Sequence, residues 1–237
     1  MTTTDPVPDS TITASGAASI LAAVSQNDLS GVEQLLGHSP ELARTRNDEG
    51  TSLLLLAKYT GAEEIAKRIL QDRDDLDIFE AAATGDVAQV QGLIAGNRDM
   101  LSEFSADGFT PLHLATFFKH IGVVRLLLAN GADVDAVARN KSAVRPIHSA
   151  AATRDARVVH VILAAGADPD AKQSGGHTAL HSAVVHNNIA MATTLLAAGA
   201  DPTITNDEHQ SALDLAQRAK ANSIKSLLQA FLDHRSQ

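Results

Sequence analysis

Ten histidines and no cysteine define the side-chain chemistry open to this 237-residue chain. Without a thiol there is no disulfide framework, no Cys nucleophile and no Cys-based zinc or iron–sulfur site. Imidazoles are left. His177, His181 and His186 fall close together in sequence, and three ring nitrogens are in principle enough for zinc. Their expected places diverge, however, with His177 in a turn, His181 at the start of a helix and His186 near its end. There is no His-Glu-x-x-His, no Gly-x-Ser-x-Gly and no phosphate-cradling glycine loop carrying a Lys, and Gly175-Gly176 reads as a turn. No nucleophile, base and oxyanion donor are brought together. The acid pairs Glu63-Glu64 and Asp74-Asp75 read as solvated surface rather than acid/base dyads. The expectation is therefore no catalysis, no cofactor and no metal, with a metal-dependent enzyme at 177–186 as the weakest alternative.

His181 also belongs to a second set, with His113 and His148, that recurs at one position of a repeated segment. Thr110-Pro-Leu-His-Leu-Ala115, Arg145-Pro-Ile-His-Ser-Ala150 and Thr178-Ala-Leu-His-Ser-Ala183 align without gaps, and Ser211-Ala-Leu-Asp-Leu-Ala216 is a weaker fourth; the starts are 35, 33 and 33 residues apart. Gly131-Ala-Asp133, Gly166-Ala-Asp168 and Gly199-Ala-Asp201 follow at a constant distance. Self-similarity at this period marks a stacked array. Pro111 suits a first helical turn, where its missing N–H would have had no partner. Val123, Val124, Leu127 and Leu128 form one stripe of a second helix, and Gly131 supplies its left-handed end. Asp107-Gly108 is a turn signal between helix pairs.

These paired motifs resemble the ankyrin repeat family. The resemblance implies an all-α solenoid of stacked helix-turn-helix units joined by β-hairpins, and a structural role for His113, His148 and His181 in hydrogen bonds to the motif Thr and nearby backbone. Arg145 in place of Thr, and Asp214 in place of His, should alter two of those local networks.

Weaker copies precede the clear ones. Thr51–Ala57 with Ile65, Ile69 and Leu70 forms one pair, Ile78–Ala82 with Val90, Leu93 and Ile94 the next, and Ile20, Ala22, Ala23, Val32, Leu35 and Leu36 the earliest. About seven units are expected over residues 17–233, starting near 17, 51, 76, 110, 145, 178 and 211. Residues 1–16 read as a flexible tail and 71–77 as an acidic, irregular junction too short for a hairpin. The polar last unit, with Gln217, Arg218, Lys220, Lys225 and Gln229, reads as a solenoid cap.

Composition agrees. Aromatics are 3% of the chain, so small side chains must fill the core and let helices approach closely. Nineteen Lys and Arg against 28 Asp and Glu argue against a nucleic-acid partner, and no apolar run reaches the roughly 18 residues of a membrane span. Residues 1–107 hold 18 acids and 7 bases, and 108–237 hold 10 and 12. The expected function is a cytoplasmic, monomeric protein-interaction module. Its hairpin tips and concave first-helix groove would take another protein or an acidic peptide segment; the alternative is a regulatory or inhibitory subunit of one enzyme. The groove positions are Leu55, Lys58 and Tyr59; Leu114, Phe117 and Phe118; Ser149, Thr153 and Arg154; and Ser182, Val185 and His186. From these and the hairpins the candidate contact residues are Tyr59, Phe109, Phe117, Phe118, Arg139, Lys141, Arg145, Arg154, His177 and His186, the cations belonging to a sequence cluster that also includes Arg157 and Lys172.

Overall fold

The computed structural model describes residues 13–235. Among them are fourteen α-helices, arranged as seven antiparallel pairs, and no strand. The chain divides into two compact units, residues 1–80 and 81–237, and the division falls inside one helix.

The first unit contains α1 (Ala14–Ser25), α2 (Leu29–His38), α3 (Leu53–Tyr59), α4 (Glu63–Leu70) and the start of α5 (Ile78–Thr84). α1 packs on α2 and α3, and α4 on α2 and α3, around Ile20, Val32, Leu36, Leu53, Leu54, Ile65 and Ile69, each almost fully buried. The Thr13 hydroxyl caps α1 by accepting from the Gly16 N–H, so the helix begins inside the segment read as a tail. Residues 1–12 of that tail lie outside the described residues.

The second unit continues with α6 (Val87–Gly96), α7 (Pro111–Phe117), α8 (Ile121–Ala129), α9 (Pro146–Ala152), α10 (Ala156–Ala164), α11 (Ala179–Val185), α12 (Ile189–Ala197), α13 (Ala212–Arg218) and α14 (Asn222–Arg235). The first helices α7, α9, α11 and α13 pack side by side in one layer, and the second helices α6, α8, α10, α12 and α14 form another. The first helices are only seven residues long, too short to persist alone, so lateral packing must hold them. Fully buried alanines, among them Ala115, Ala150, Ala151 and Ala183, sit where neighbouring helices meet, which explains an Ala-rich, ring-poor composition.

The hairpins are shorter than expected. Outside the short 71–77 junction, the inter-repeat connections are tight turns closed by few backbone bonds, as in Ser105 N–H to Phe109 O (2.9 Å), Gln173 N–H to His177 O (3.0 Å) and Asn206 N–H to Gln210 O (3.0 Å). Among the described residues only isolated bridges at Arg46/Ser52 and Thr205/Ser211 have strand character, because the arms offer too few residues for a ladder. Successive turns stack through Arg139 N–H to Gly108 O (2.8 Å) and Asp207 N–H to Gly175 O (3.0 Å). Gly108, at φ +85°, approaches the Arg139 backbone so closely that a Cβ would sit 2.7 Å from its carbonyl carbon. Only glycine fits there.

Candidate interaction surface

The recurring histidines serve as staples. His113 Nδ1 accepts from the Thr110 hydroxyl (2.8 Å) and lies 3.3 Å from the Thr110 N–H, while Nε2 donates to Val144 O in the next connection (3.1 Å). A ring nitrogen facing N–H and O–H donors must accept and one facing a carbonyl must donate, so the neutral Nε2–H tautomer is required. Burial pushes the pKa of His113 and of His148 down to about 4, and lowers that of His181, in keeping with that neutral state. His148 donates to Ala171 O (3.0 Å) and His181 to Gln210 O (3.1 Å). At the altered repeat, Arg145 offers no hydroxyl, and only its N–H bonds to His148 Nδ1 (3.0 Å). In the last pair Asp214 caps Ser211 and, lacking a proton to give, bridges to nothing further along.

The exposed face is built from residues with no such task. At the ends of the seven-residue first helices, Phe117 is 43% and Val185 62% exposed, with Ala152 exposed at the equivalent place on α9. Phe118 is half-buried and meets Phe117 edge-on, with ring centroids 5.1 Å apart. Tyr59 stands exposed at the end of α3 in the first unit. Leu55, Leu114 and Ser149 do not belong to any groove surface: all three are buried, because their face of the first helix is covered by neighbouring elements. Thr153 and Ser182 are half-buried, and His186 is exposed at the end of α11.

The cations that cluster in sequence separate in space. Arg145 precedes α9 and Arg154 follows it, about 10 Å of helix apart. Arg139 lies over the Phe104 ring, 3.9 Å from its centroid, and Lys141 is exposed beside it on the same connection. Arg145 reaches Asp135 at 3.8 Å, and its Nε is buried without a hydrogen bond. Arg157 turns back on Asp155 (2.7 Å) and holds that carboxyl down to about 2. Lys172 donates to Thr205 O (2.9 Å). Chain adjacency brings these residues together in the sequence, and the helix between them carries them to opposite edges. The acids Asp135 and Asp170 instead accept N–H groups of Asp168 and Asp201 one repeat on, so the Gly-Ala-Asp turns are structural.

Comparison with known proteins agrees with this geometry. A model of ankyrin repeats matches residues 19–138, 78–173 and 147–236. The chain belongs to the ankyrin repeat family. Among curated relatives, the fowlpox virus (strain NVSL) ankyrin repeat protein FPV240 is 41% identical over 59 residues, which is 25% of this chain and 14% of the relative. Alpha-latrocrustotoxin-Lt1a of Latrodectus tredecimguttatus is 27% identical over 113 residues, 44% of this chain and 8% of the toxin. A protein of Oryza sativa subsp. japonica named as the E3 ubiquitin-protein ligase XBOS31 is 33% identical over 72 residues, 30% of this chain and 16% of the relative. The matches thus cover a small part of each relative. Ankyrin repeats are in general protein–protein interaction modules without catalysis.

Against the ankyrin pattern, residues 71–80 show what the sequence reading missed. Glu80 holds the position that His113 holds in its own helix, and it caps the helix by accepting from the Asp77 N–H (3.1 Å). A carboxylate cannot donate onward, and Glu80 is fully buried, so its charge needs a partner. Arg73, with 4% of its side chain exposed, supplies it at 2.8 Å and also bonds Asp75 (2.6 Å) and Ala43 O (3.1 Å). The available signal was an acid inside an apolar helix with an Arg seven residues upstream. Of the histidines, His177 and His181 rings touch edge-on with centroids 5.5 Å apart, while His186 sits at the far end of α11. Among the described residues no group of three or more metal-ligating side chains converges, and no helix is long and apolar enough to cross a membrane.

Proposed function

We propose that this chain is a non-catalytic adaptor whose second unit captures a segment of another protein. The observation that carries the reading is the row of exposed side chains Phe117, Ala152 and Val185 at equivalent ends of three adjacent first helices. Exposed aromatic and aliphatic residues on a rigid support are the usual anchors of interfaces, and nothing in the fold requires them there. Phe118 backs Phe117, and Arg154 and His186 lie beside the row. Phe109, Arg139, Lys141, Arg145 and His177 sit on or next to the connections and form a separate rim. An acidic segment complements the cations of this unit. The reading includes a cytoplasmic location and a monomeric chain.

The test is affinity capture from the source cell with mass spectrometry, using the wild-type chain and F117A/F118A. The double variant should keep its helical circular dichroism and lose the partners that the wild type enriches. Undiminished capture would show that this face is not the interface.

A further inference from the structure

Every helix pair reverses direction through one residue in the left-handed region. Those seven residues are Asn27 (φ 55°), Gly61 (71°), Gly85 (84°), Lys119 (64°), Arg154 (58°), Asn187 (48°) and Lys220 (55°). Glycine adopts this conformation freely and Asn tolerates it, whereas a long side chain takes it against a steric penalty. Four of the seven positions follow that preference. The three that do not are all cations, all exposed and all in the second unit, and none makes an ion pair among the described residues. A residue held against its backbone preference at a repeated place is a pointer to function.

The placement gives these cations an order. Each stands two residues past the apolar row, so Lys119 follows Phe117, Arg154 follows Ala152 and Asn187 follows Val185, with Lys220 next along on the adjacent α13 turn. The helices of each pair run antiparallel, so their dipoles oppose at this edge and the side chains decide its charge. Asp155 shares the edge, paired with Arg157 and close enough to Lys119 to feel its charge, and Asp86 lies one turn before Lys119. The backbone beneath is tied between turns, with Asn188 Nδ2 donating to Arg154 O at 2.8 Å. The strip is therefore a rigid ladder of plus, plus, neutral amide, plus.

Adjacent packed helices lie about 8–10 Å apart. A polyproline II chain rises about 3.1 Å per residue with three residues per turn, so every third side chain points the same way at about 9 Å intervals. We propose that this strip binds an acidic segment in polyproline II conformation, with carboxylates at every third residue facing Lys119, Arg154 and Lys220, a neutral side chain facing Asn187, and prolines lying on Phe117 and Val185. This rests on the adaptor reading above and names its partner chemistry. Nucleic acid fits less well, because the second unit carries 13 basic against 14 acidic residues and phosphate tracking requires a basic surplus.

The test uses a labelled ten-residue peptide with Glu at its first, fourth and tenth positions, Gln at its seventh, and Pro-Ala between, followed by fluorescence anisotropy at low salt. The wild-type chain should bind it, and about 0.5 M salt should weaken the binding by screening. The variant K119G/R154G/K220G should bind about tenfold or more weakly, with an unfolding midpoint equal to or above wild type, because glycine relieves the left-handed strain. F117A/V185A should also weaken binding. Failure of the wild type to bind, equal binding by the triple glycine variant, equal binding of an isomer with its three Glu contiguous, or displacement by oligothymidylate as effective as by unlabelled peptide would each overturn the ladder. Loss in F117A/V185A alone would overturn the ladder and leave the adaptor reading standing. Unimpaired cellular capture by F117A/F118A would instead remove the apolar row as the interface on which the adaptor reading rests.

Discussion

In residues 13–80 all six Lys and Arg side chains lie within hydrogen-bonding reach of a carboxylate: Arg44, Arg46, Lys58, Lys67, Arg68 and Arg73. In the second unit only Arg145 and Arg157 approach one among the described residues. The two regions hold similar helix pairs by different means. The first closes its shortened junction with a charge network around Arg73, Asp75 and Glu80. The second joins successive repeats with neutral histidines, each capping its own helix and donating onward to a carbonyl. One consequence is that Lys119, Arg154 and Lys220 of the second unit are left for solvent and for partners. Another is that the two regions should respond differently to mutation, pH and salt.

The largest expected effect is at Arg73. R73M leaves the Glu80 carboxylate buried without its counter-charge and should cost about 3–5 kcal/mol, read as lost hydrogen-exchange protection in α3 and α4 with α11 and α12 unchanged. The double variant R73M/E80L should recover most of the loss, since apolar replacement of both partners removes the buried charge. A loss under about 1 kcal/mol for R73M would show that the network is not what secures the junction.

Acid sharpens the contrast. In the unfolded chain the histidines titrate near 6.5, and in the fold His113 and His148 titrate near 4. Above pH 6.5 both states are neutral and the stability is intact. Between 6.5 and about 4 the unfolded chain takes up protons that the folded chain refuses, so the second unit loses roughly 3 kcal/mol per histidine. The Asp75 pKa is lowered as well, but in a lower pH window: its burial, which would raise it, is outweighed by contacts with Arg73 and Arg44, so it sustains the first unit until pH falls below the ordinary carboxylate range near 3.8. Segment-resolved hydrogen exchange at pH 7 and pH 5 should therefore show loss concentrated in residues 108–210. Equal loss in both units would break the comparison.

Removing one staple gives a smaller change. H148A leaves the Arg145 N–H and Ala171 O without their partner and should destabilise the second unit by about 2–3 kcal/mol, measured by urea unfolding at pH 7. The smallest effect belongs to the surface pair Lys67 and Glu64, both about two-thirds exposed. K67A should leave the unfolding midpoint unchanged, because water and salt screen such a pair. A clear drop would mean that the surface charges of the first unit matter as much as the buried ones.

Much of this architecture was legible in the chain. The recurrence of Thr-Pro-Leu-His segments and Gly-Ala-Asp turns placed the helix pairs from 108 onward, because helix starts and turns depend on short-range residue choices, and the resemblance to the ankyrin family implied the structural use of their histidines. The interaction surface was less legible. Phe117 and Val185 could be placed on an exposed helix end by periodicity, but Leu55, Leu114 and Ser149 could not be known to be buried, since their cover comes from other elements. The cationic run from Arg139 to Lys172 looked like one patch because sequence distance says nothing about which edge of a seven-residue helix a side chain emerges from. The Arg73–Glu80 pair was hidden for a related reason, as a buried charge is recognisable only once its neighbours are known.

By itself, then, the sequence determined the repeat, its period, its helix starts and turns, and the small-residue core, all of which follow from short-range sterics and hydrogen-bond chemistry. Tertiary structure alone decided which cations are spent inside the fold and which stand in left-handed turns beside the apolar row. That choice depends on where stacked helices bring distant carboxylates and carbonyls, and the energy of a charge is set by that surrounding rather than by its place along the chain.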